Sequence, residues 1–329
     1  MNRLHAIVFG LTIGLIFYSC SNERVIPNSS GKSSEMLVVA NPSIWNGITG
    51  EAIRSYFGRN MDGLPQPEPK YSLTNIAESA FSTIFRSHRN LLIISINPDF
   101  TTPFVETRKD FWAQPQRVVK INASSDTASY RIFKENKEAF LKLFDQVERE
   151  RIQMAFASAP DVALQNLIAK EIGLSMSLPQ GYFVAKNIPG FIWLRRETLE
   201  ISQGFLIYVE KYVDTAMFNP NYILSRRDII TQRYIPGTFA GTFMTTARSF
   251  IPPVSRQTQL NGRFAVETRG LWEVEGDFMG GPFINYTFVD ETTNRIVTLD
   301  GYVYAPRDRK RDLIRQLEAI IHTTKPFSE

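Results

Sequence analysis

The sequence predicts an α+β fold in which mostly antiparallel sheets pack with helices. Runs rich in β-branched and long apolar residues follow one another with short turns between them, as strands of antiparallel sheets do. Segments with apolar residues at three- and four-residue steps interrupt these strands in blocks instead of alternating with them. The order of strands and then helix occurs twice, which suggests two similar α/β halves at residues 36–173 and 174–329.

The first predicted half combines three strands with three helices. Short apolar runs predict the strands at residues 35–40, 90–96 and 117–123. Helical spacing of apolar residues predicts the helices at residues 53–58, 130–154 and 160–173. Gly58 and Gly173 are suited to end helices, because glycine tolerates the left-handed conformation that often follows the last turn.

The second predicted half is richer in strands. Apolar and alternating runs predict strands at residues 181–187, 190–197, 204–212, 262–276, 283–290 and 295–305. Helical spacing predicts helices at residues 223–234 and 308–323. Residues 291–294 are typical of a turn, whereas residues 238–260 show no clear pattern.

Residues 1–19 have the features of a secretory signal. Arg3 gives a weakly positive start, and the segment from Ala6 to Tyr18 is apolar except for Thr12. The segment is too short to cross a hydrocarbon core, which needs about 20 residues. A short apolar run behind a basic start is instead typical of an exported protein.

Cys20 ends this apolar run and is the only cysteine in the chain. The letters FYSC resemble a relaxed bacterial lipobox, with Ser19 as the small residue before the cysteine. The resemblance implies cleavage before Cys20 and acylation of its sulfur and new amine, and two or three acyl chains make membrane attachment durable. The alternatives are a buried apolar cysteine or the last residue of an uncleaved anchor.

Residues 20–35 are predicted to tether the folded body to the membrane. They are rich in Ser and Asn and bury too little apolar surface to offset their chain entropy, so we expect a flexible coil. By analogy with bacterial sorting rules, Ser21 favours an outer over an inner membrane. Only Glu23 is acidic near Cys20, and Arg24 follows it, which favours the periplasmic face over the cell surface.

Composition excludes several classes of function. Removal of residues 1–19 leaves 36 basic and 33 acidic residues, a balance too even for a dedicated nucleic-acid binder. With Cys20 acylated, a Cys/His zinc site has no thiol, and only His88 and His322 remain as histidines. The sequence contains no Walker A motif, no G-x-G-x-x-G and no G-x-S-x-G. From these motifs we therefore assign no metal site, no cofactor and no catalytic residue.

The stretch from Trp45 to Arg54 is the first candidate binding site. Two glycines, of which Gly50 is the second, precede a helix and free backbone N–H groups that can receive an anion. Arg54 lies one turn along the helix and adds positive charge. The alternative is an ordinary helix start with Thr49 as cap and Glu51 in the first turn.

The stretch from Glu267 to Phe283 is the second candidate, because it contains Trp, Phe, Met, four Gly and four acidic residues. On a strand, Glu273 and Glu275 lie on one face, and Trp272 lies on the other. The two glutamates, with Asp277, have the chemistry for acid–base catalysis or for binding a hard cation. The alternative is a solvated acidic face.

The letters DFMGGPF within this second stretch predict a tight loop with an exposed tip. Phe278 and Met279 form the tip, and Gly280 and Gly281 are able to adopt positive φ angles. Such a bulky apolar tip is a candidate contact point for a partner, and the alternative is a simple hairpin turn.

The tripeptide DTA occurs at residues 126–128 and 214–216. It resembles the loose Asp-Ser/Thr-aliphatic signal for O-glycosylation in Bacteroidota. The resemblance implies modification of Thr127 and Thr215, although so permissive a pattern also arises by chance.

Three motifs resemble a family of uncharacterised Bacteroidota cell-envelope lipoproteins, which is classed as a domain of unknown function. The motifs are WNGITGEAIRSYFG, FRSHRNLLIISI and RGLWEVEGDFMGGPF. The resemblance implies a lipid-anchored position in the cell envelope and says nothing about chemistry.

Two functional hypotheses follow from these observations. The first is a periplasm-facing lipoprotein that binds an envelope protein, glycan or lipid. The second is a carboxylate-dependent hydrolase that acts on an envelope polymer through Glu273, Glu275 or Asp277.

Overall fold

The computed structural model describes residues 26–326. The predicted signal segment and Cys20 lie outside the described residues. Within the predicted tether, Ser29 and Ser30 donate backbone hydrogen bonds to Gln114 and Ser87 at 3.0 and 2.8 Å, and Ser34 is fully buried. Residues 28–34 therefore pack against the folded body, because backbone hydrogen bonds compensate for their lack of apolar side chains.

Seven helices and fifteen strands occur in the described residues. The helices are α1 (Pro42–Trp45), α2 (Ile48–Phe57), α3 (Thr83–Arg86), α4 (Asp126–Ala157), α5 (Val162–Ile172), α6 (Pro220–Tyr234) and α7 (Arg311–Ile321). The strands before α5 are β1 (Glu35–Val39), β2 (Ser72–Ile76), β3 (Asn90–Ile96), β4 (Phe104–Lys109) and β5 (Arg117–Ala123). The later strands are β6 (Leu174–Ser175), β7 (Tyr182–Ile188), β8 (Phe191–Glu197), β9 (Ser202–Lys211), β10 (Phe243–Ala247), β11 (Val254–Leu260), β12 (Arg263–Glu275), β13 (Gly280–Asp290), β14 (Arg295–Tyr304) and β15 (Lys325–Pro326).

The first sheet has five strands in the order β2-β1-β3-β5-β4. Three of its four pairings are parallel, and only β4 runs antiparallel to its neighbour β5. Helices α2 and α4 cover one face, where Phe57, Phe133 and Phe144 are buried. Because both faces of β1, β3 and β5 are buried, these strands are almost continuously apolar, as expected of inner parallel strands.

The second sheet has eight strands, and all of its pairings are antiparallel. Its path is β10-β12-β13-β14-β9-β8-β7, and β11 pairs with the far end of β12. Helices α5 and α7 pack on one face, and α6 packs on the other. The prediction of an α+β fold with mostly antiparallel sheets is confirmed. The two sheets differ in strand direction and in strand order. The two halves therefore both contain strands followed by helices, but they do not have the same sheet topology.

Two helices receive their N-terminal caps from distant carboxylates. Asp126 accepts hydrogen bonds from the backbone N–H groups of Ile48 and Thr49 at the start of α2, at 3.1 and 3.3 Å. Glu68 accepts from the N–H groups of Lys310 and Arg311 at the start of α7, at 2.7 and 3.1 Å. A carboxylate at a helix N-terminus satisfies unpaired donors and complements the helix dipole.

Helix α7 joins the two halves through buried charges. Arg315 on α7 and Lys70 both contact the carboxylate of Asp145 on α4, at 3.3 and 3.1 Å. The hydroxyl of Tyr71 donates to the same carboxylate at 2.8 Å. Burial raises the pKa of Asp145, but Lys70 and Arg315 outweigh burial and hold the pKa below its usual value. Asp145 therefore links α4, the connector around Lys70 and α7.

No helix within residues 26–326 combines the length and the apolar composition of a membrane span.

Candidate functional site

Strand β12 presents a different chemistry on each face of the eight-stranded sheet. Trp272 and Val274 point to the face covered by α6 and are buried there. Glu267 and Arg269 point to the opposite face, toward α7. The alternation follows from the two-residue period of a strand. The predicted second stretch therefore contributes to two separate clefts.

The first cleft, which we call the aromatic cleft, has a volume of about 530 Å³ and lies on the α6 side. The β8–β9 turn, the loop after α6 and the β12–β13 turn surround it. Its apolar lining consists of Trp193, Leu199, Ile201, Ile235, Met244, Trp272, Val274, Met279, Tyr302 and Tyr304.

The floor of the aromatic cleft has no free indole N–H group. Trp193 donates its Nε1–H to the hydroxyl of Tyr302 at 3.0 Å, and Trp272 donates its Nε1–H to the carbonyl of Val303 at 3.1 Å. The rings of Trp272 and Tyr302 meet edge to face, with centroids 5.5 Å apart. Burial raises the pKa of Tyr302 well above its usual value, so its hydroxyl stays protonated.

The rim of the aromatic cleft carries apolar side chains on loops. Leu199 lines the cleft and is fully exposed, and Phe278 in the neighbouring β12–β13 turn is fully exposed as well. Met279 is partly buried, with its sulfur 3.3 Å from the hydroxyl of Thr238. The exposed tip predicted from the sequence is thus formed by Phe278, whereas Met279 turns into the cleft.

The glycines of this turn differ from the prediction. Gly276 adopts the positive φ, at 83°, and Gly280 and Gly281 do not. The reason is that β13 already begins at Gly280. Gly281 is needed for a different purpose, because a Cβ there would lie 2.0 Å from the carbonyl oxygen of Val303.

The three candidate carboxylates do not line the aromatic cleft. Glu273 and Glu275 are exposed on the face of β12 opposite Trp272, as the strand period predicts. Asp277 is partly buried in the turn, where one of its oxygens accepts from the N–H of Phe278 at 2.6 Å. Among residues 26–326, no group of three or more His, Asp or Glu side chains is placed to hold a metal ion.

The first candidate stretch is held together by contacts within the protein. The guanidinium of Arg54 stacks over the Trp45 ring at 4.6 Å and donates to the Trp45 carbonyl. A Cβ at Gly50 would lie 1.9 Å from that carbonyl, so only glycine fits there. Asp126 occupies the helix N-terminus at which we predicted an anion. A free anion would have to displace this carboxylate.

The two predicted glycosylation positions are both exposed. Thr127 lies in the first turn of α4, and Thr215 begins a short 3₁₀ helix at Thr215–Phe218. The side chain of Asp214 accepts from the N–H of Ala216 at 2.8 Å, so the second DTA tripeptide forms a helix cap.

The second cleft, which we call the polar cleft, lies between the two halves and has a volume of about 750 Å³. No motif in the sequence predicts it. Residues from α4, from the segment after α2, from β11 to β13 and from α7 line it, namely Arg59, Asn60, Met61, Asp62, Lys70, Lys142, Asp145, Gln146, Arg149, Arg256, Gln257, Thr258, Gln259, Phe264, Glu267, Arg269, Tyr286, Glu318 and His322. The only sequence signal was the polar row on α4 at spacings of three and four residues, which equally fits a solvated helix face.

A network of buried charges forms the inner wall of the polar cleft. Arg269 donates to Glu267 and, at 2.9 Å, to Glu318, and both Arg269 and Glu318 are more than nine-tenths buried. Burial raises the pKa of Glu318, but Arg269 and Arg149 outweigh burial and hold the pKa well below its usual value. Both side chains of the pair therefore stay charged.

Tyr286 and His322 continue this wall. The Tyr286 hydroxyl donates to Glu267 at 2.7 Å and lies 3.4 Å from Nε2 of His322. Burial and the neighbouring Arg149 lower the pKa of His322 to about 4, so the ring is neutral at neutral pH. Burial and the Glu267 carboxylate raise the pKa of Tyr286 well above its usual value.

The two halves of the chain are similar to two families. Residues 29–157 match a domain of unknown function (DUF8532), and residues 161–323 match a second domain of unknown function (DUF4837). Both descriptions leave function open. The sequence matches no curated protein.

Three solved structures show a distant likeness to about half of this chain. A mutant of the protein Mog1 has 9% identity over 47% of this chain and 91% of its own, with a TM-score of 0.31. The Saccharomyces cerevisiae Ran-binding protein Mog1p has 9% identity over 47% and 90%, with a TM-score of 0.30. LpqN, involved in cell envelope biogenesis of Mycobacterium tuberculosis, has 12% identity over 46% and 82%, with a TM-score of 0.28. Likenesses this distant carry no argument about function.

Proposed function

We propose that this chain is a lipid-anchored binding protein of the cell envelope, and that its aromatic cleft receives an acyl chain of an envelope lipid. The floor of the cleft is the main evidence for an apolar ligand. Both indole N–H groups there already donate within the protein, to Tyr302 and Val303. A floor without a free indole donor suits an apolar ligand.

The apolar lining supports an acyl chain over a glycan. A glycan needs open aromatic faces and polar partners for its hydroxyls, whereas Trp272 and Tyr302 are nearly fully buried and pack edge to face. Small-molecule sites are commonly clefts of about 300–1,000 Å³ with mainly apolar walls, and the aromatic cleft has this size and an apolar floor. Arg195, Glu197 and Glu200 supply the charged groups of its lining. The exposed Leu199 and Phe278 then offer apolar contact at the entrance.

The anchor part of the proposal rests on the lipobox-like letters before Cys20. Attachment to an outer membrane, facing the periplasm, would place the body next to a source of acyl chains. Replacement of Cys20 by Ser should release the protein from the membrane fraction of lysed cells. A Cys20→Ser protein that still partitions with membranes would exclude the lipid anchor without affecting the ligand proposal.

The ligand part is tested with laurate and maltotriose as probes for an acyl chain and a glycan. Laurate should change the tryptophan fluorescence of the purified chain in a saturable way, because Trp193 and Trp272 line the cleft. Maltotriose should produce no change. Saturable binding of maltotriose without binding of laurate would show that the cleft serves glycans instead.

A matched pair of variants locates the binding site. Leu199→Asp places a charge at the rim of the cleft and should weaken laurate binding about tenfold, which corresponds to about 1.4 kcal/mol. Ile84→Asp places a charge at another mostly exposed apolar residue, in the other half, and should leave binding unchanged. Equal weakening by both variants would mean that laurate binds nonspecifically.

A further inference from the structure

The polar cleft carries more positive charge than its own carboxylates neutralise. Six cationic residues and four carboxylates line it. His322 adds no charge at neutral pH, because burial and Arg149 keep its ring neutral. The walls of the cleft therefore have a surplus of positive charge.

The carboxylates of the cleft are already paired. Asp62 contacts Arg256, Asp145 contacts Lys70, and both Glu267 and Glu318 contact Arg269. Arg149 lies 3.9 Å from Glu318 as a second, longer contact. All four carboxylates that line the cleft therefore already contact a cation of the protein.

Arg59 and Lys142 in the walls remain available to a ligand, and one buried donor, Nη1 of Arg269, remains unpaired. Among residues 26–326, Arg59 and Lys142 have no carboxylate within 4.0 Å. Arg59 uses one nitrogen for the carbonyl of Tyr56, at 2.7 Å, and Lys142 is exposed on α4. Nη1 of Arg269 is buried and has no hydrogen-bond partner in the described part of the chain. An unpaired donor on a buried guanidinium is costly and is unusual in a protein without a ligand for it.

We propose that the polar cleft binds a sugar that carries an oxyanion group, such as a phosphate or a carboxylate. The oxyanion is attracted by Arg59, Lys142 and the Arg269 end of the cleft, because charge-assisted hydrogen bonds from guanidinium and ammonium groups are the strong ones. The sugar hydroxyls meet the amide side chains of Asn60, Gln146, Gln257 and Gln259, which both donate and accept. This site is independent of the aromatic cleft, which lies on the other face of the sheet.

A ligand in the polar cleft bridges the two halves of the protein. Lys142 and Gln146 belong to α4 of the first half, whereas Gln257 and Gln259 belong to β11 of the second. A ligand that binds only the folded arrangement stabilises it by mass action. Binding should therefore raise the temperature of thermal unfolding as well as give a heat signal.

The test uses glucose 6-phosphate, glucuronate, glucose and inorganic phosphate with the purified full chain. Glucose 6-phosphate, glucuronate or both should raise the unfolding temperature and give saturable heats in calorimetry, and glucose should do neither. Failure of both charged sugars at millimolar concentration would overturn the proposal. Inorganic phosphate that binds as tightly as glucose 6-phosphate would overturn the assignment of a sugar.

The donors are tested with Lys142→Gln and Arg59→Gln. Each variant should weaken binding of the charged sugar about tenfold, because it removes one charge-assisted contact. Lys170→Gln removes an exposed lysine of α5 outside the cleft and should leave affinity unchanged. Unfolding temperatures without ligand should match the parent chain in all three variants, which separates lost binding from lost folding. Unchanged affinity in Lys142→Gln and Arg59→Gln would overturn the proposal, as would equal weakening by Lys170→Gln.

Discussion

The aromatic cleft and the polar cleft lie on opposite faces of one sheet and share the strand β12. On one face, Trp272 is buried among aromatic rings, and its indole N–H donates to the carbonyl of Val303. On the other face, Arg269 is buried among charges and keeps one donor unpaired. Residues three positions apart on one strand therefore belong to environments with opposite chemistry. The dense stretch of motifs at Glu267 to Phe283 therefore identifies an important strand, but its residues are divided between two sites.

The largest expected effect is loss of packing on the aromatic face. Trp272→Ala should lower the free energy of unfolding by about 4 kcal/mol, because it removes a buried indole and leaves a cavity. Denaturant unfolding monitored by circular dichroism measures this change. Trp45→Ala is the control, since Trp45 is only partly buried, and it should cost much less. Similar losses in both variants would mean that the aromatic face is not specially packed.

The next effect tests the polar face. Glu318→Gln should lower the free energy of unfolding by about 3 kcal/mol, because it leaves Arg269 with a buried charge and weaker compensation. Glu200→Gln removes a carboxylate from a pair with Arg307 in which both side chains are mostly exposed, and it should cost less than about 0.5 kcal/mol. A Glu318→Gln protein as stable as the parent would show that the buried network contributes little to folding.

The third effect is a dependence of stability on pH that belongs to the polar face. Burial and Arg149 lower the pKa of His322 to about 4, whereas an unfolded histidine titrates near its ordinary value of 6.5. As pH falls from 6.5 toward 4, the unfolded state takes up a proton that the folded state does not, so the free energy of unfolding decreases. The decrease should amount to about 2 kcal/mol after allowance for partial solvent contact.

His322→Gln should remove most of this dependence on pH. Some dependence should remain, because burial also lowers the pKa of His88. Glu318 faces His322, and its pKa is held well below the usual value. The stability that the ionised Glu318 contributes is therefore lost only as pH falls below about 4.5, which is a lower pH range than that of His322. Unfolding curves measured between pH 7 and pH 4.5 separate the two groups. An unchanged slope in His322→Gln would contradict the assigned shift.

The smallest expected effect concerns the exposed acids of β12. Glu273→Gln and Glu275→Gln should each change the free energy of unfolding by less than about 0.5 kcal/mol, because both side chains are exposed on a strand surface. The same variants examine the hydrolase hypothesis. Loss of envelope-polymer turnover in these variants and in Asp277→Asn, with stability unchanged, would favour a catalytic role for these carboxylates over a binding protein.

Local sequence patterns predicted an element correctly where its residues are uniformly apolar or follow one clear period. The buried strands β3 and β5 begin and end at the predicted residues, because their apolar runs are bounded by polar ones. The helix predicted at 130–154 extends to Asp126–Ala157, since Ser125 caps its start outside the apolar pattern. Strands β10 and β11 were missed, because the Thr residues of β10 and the Ser, Arg, Gln and Thr residues of β11 are also typical of loops.

The sites were predicted less completely than the elements. The stretch from Glu267 to Phe283 contains Trp272 and Met279 of the aromatic cleft and Glu267 and Arg269 of the polar cleft. The anion site predicted at the start of α2 is instead occupied by Asp126, which lies 78 residues away from its partner Ile48 in the chain. No local pattern contains such a pairing.

The sequence by itself determined the α+β class and the faces of the strands, because these depend on periods of two to four residues. Only the tertiary structure decided which charges meet. Lys142 and Arg269 line one cleft although they belong to different halves of the chain, and Glu68 caps a helix that begins at Arg311. Electrostatic and hydrogen-bonding partners are chosen by distance in space, and that distance is set only once the two sheets and α7 have packed together.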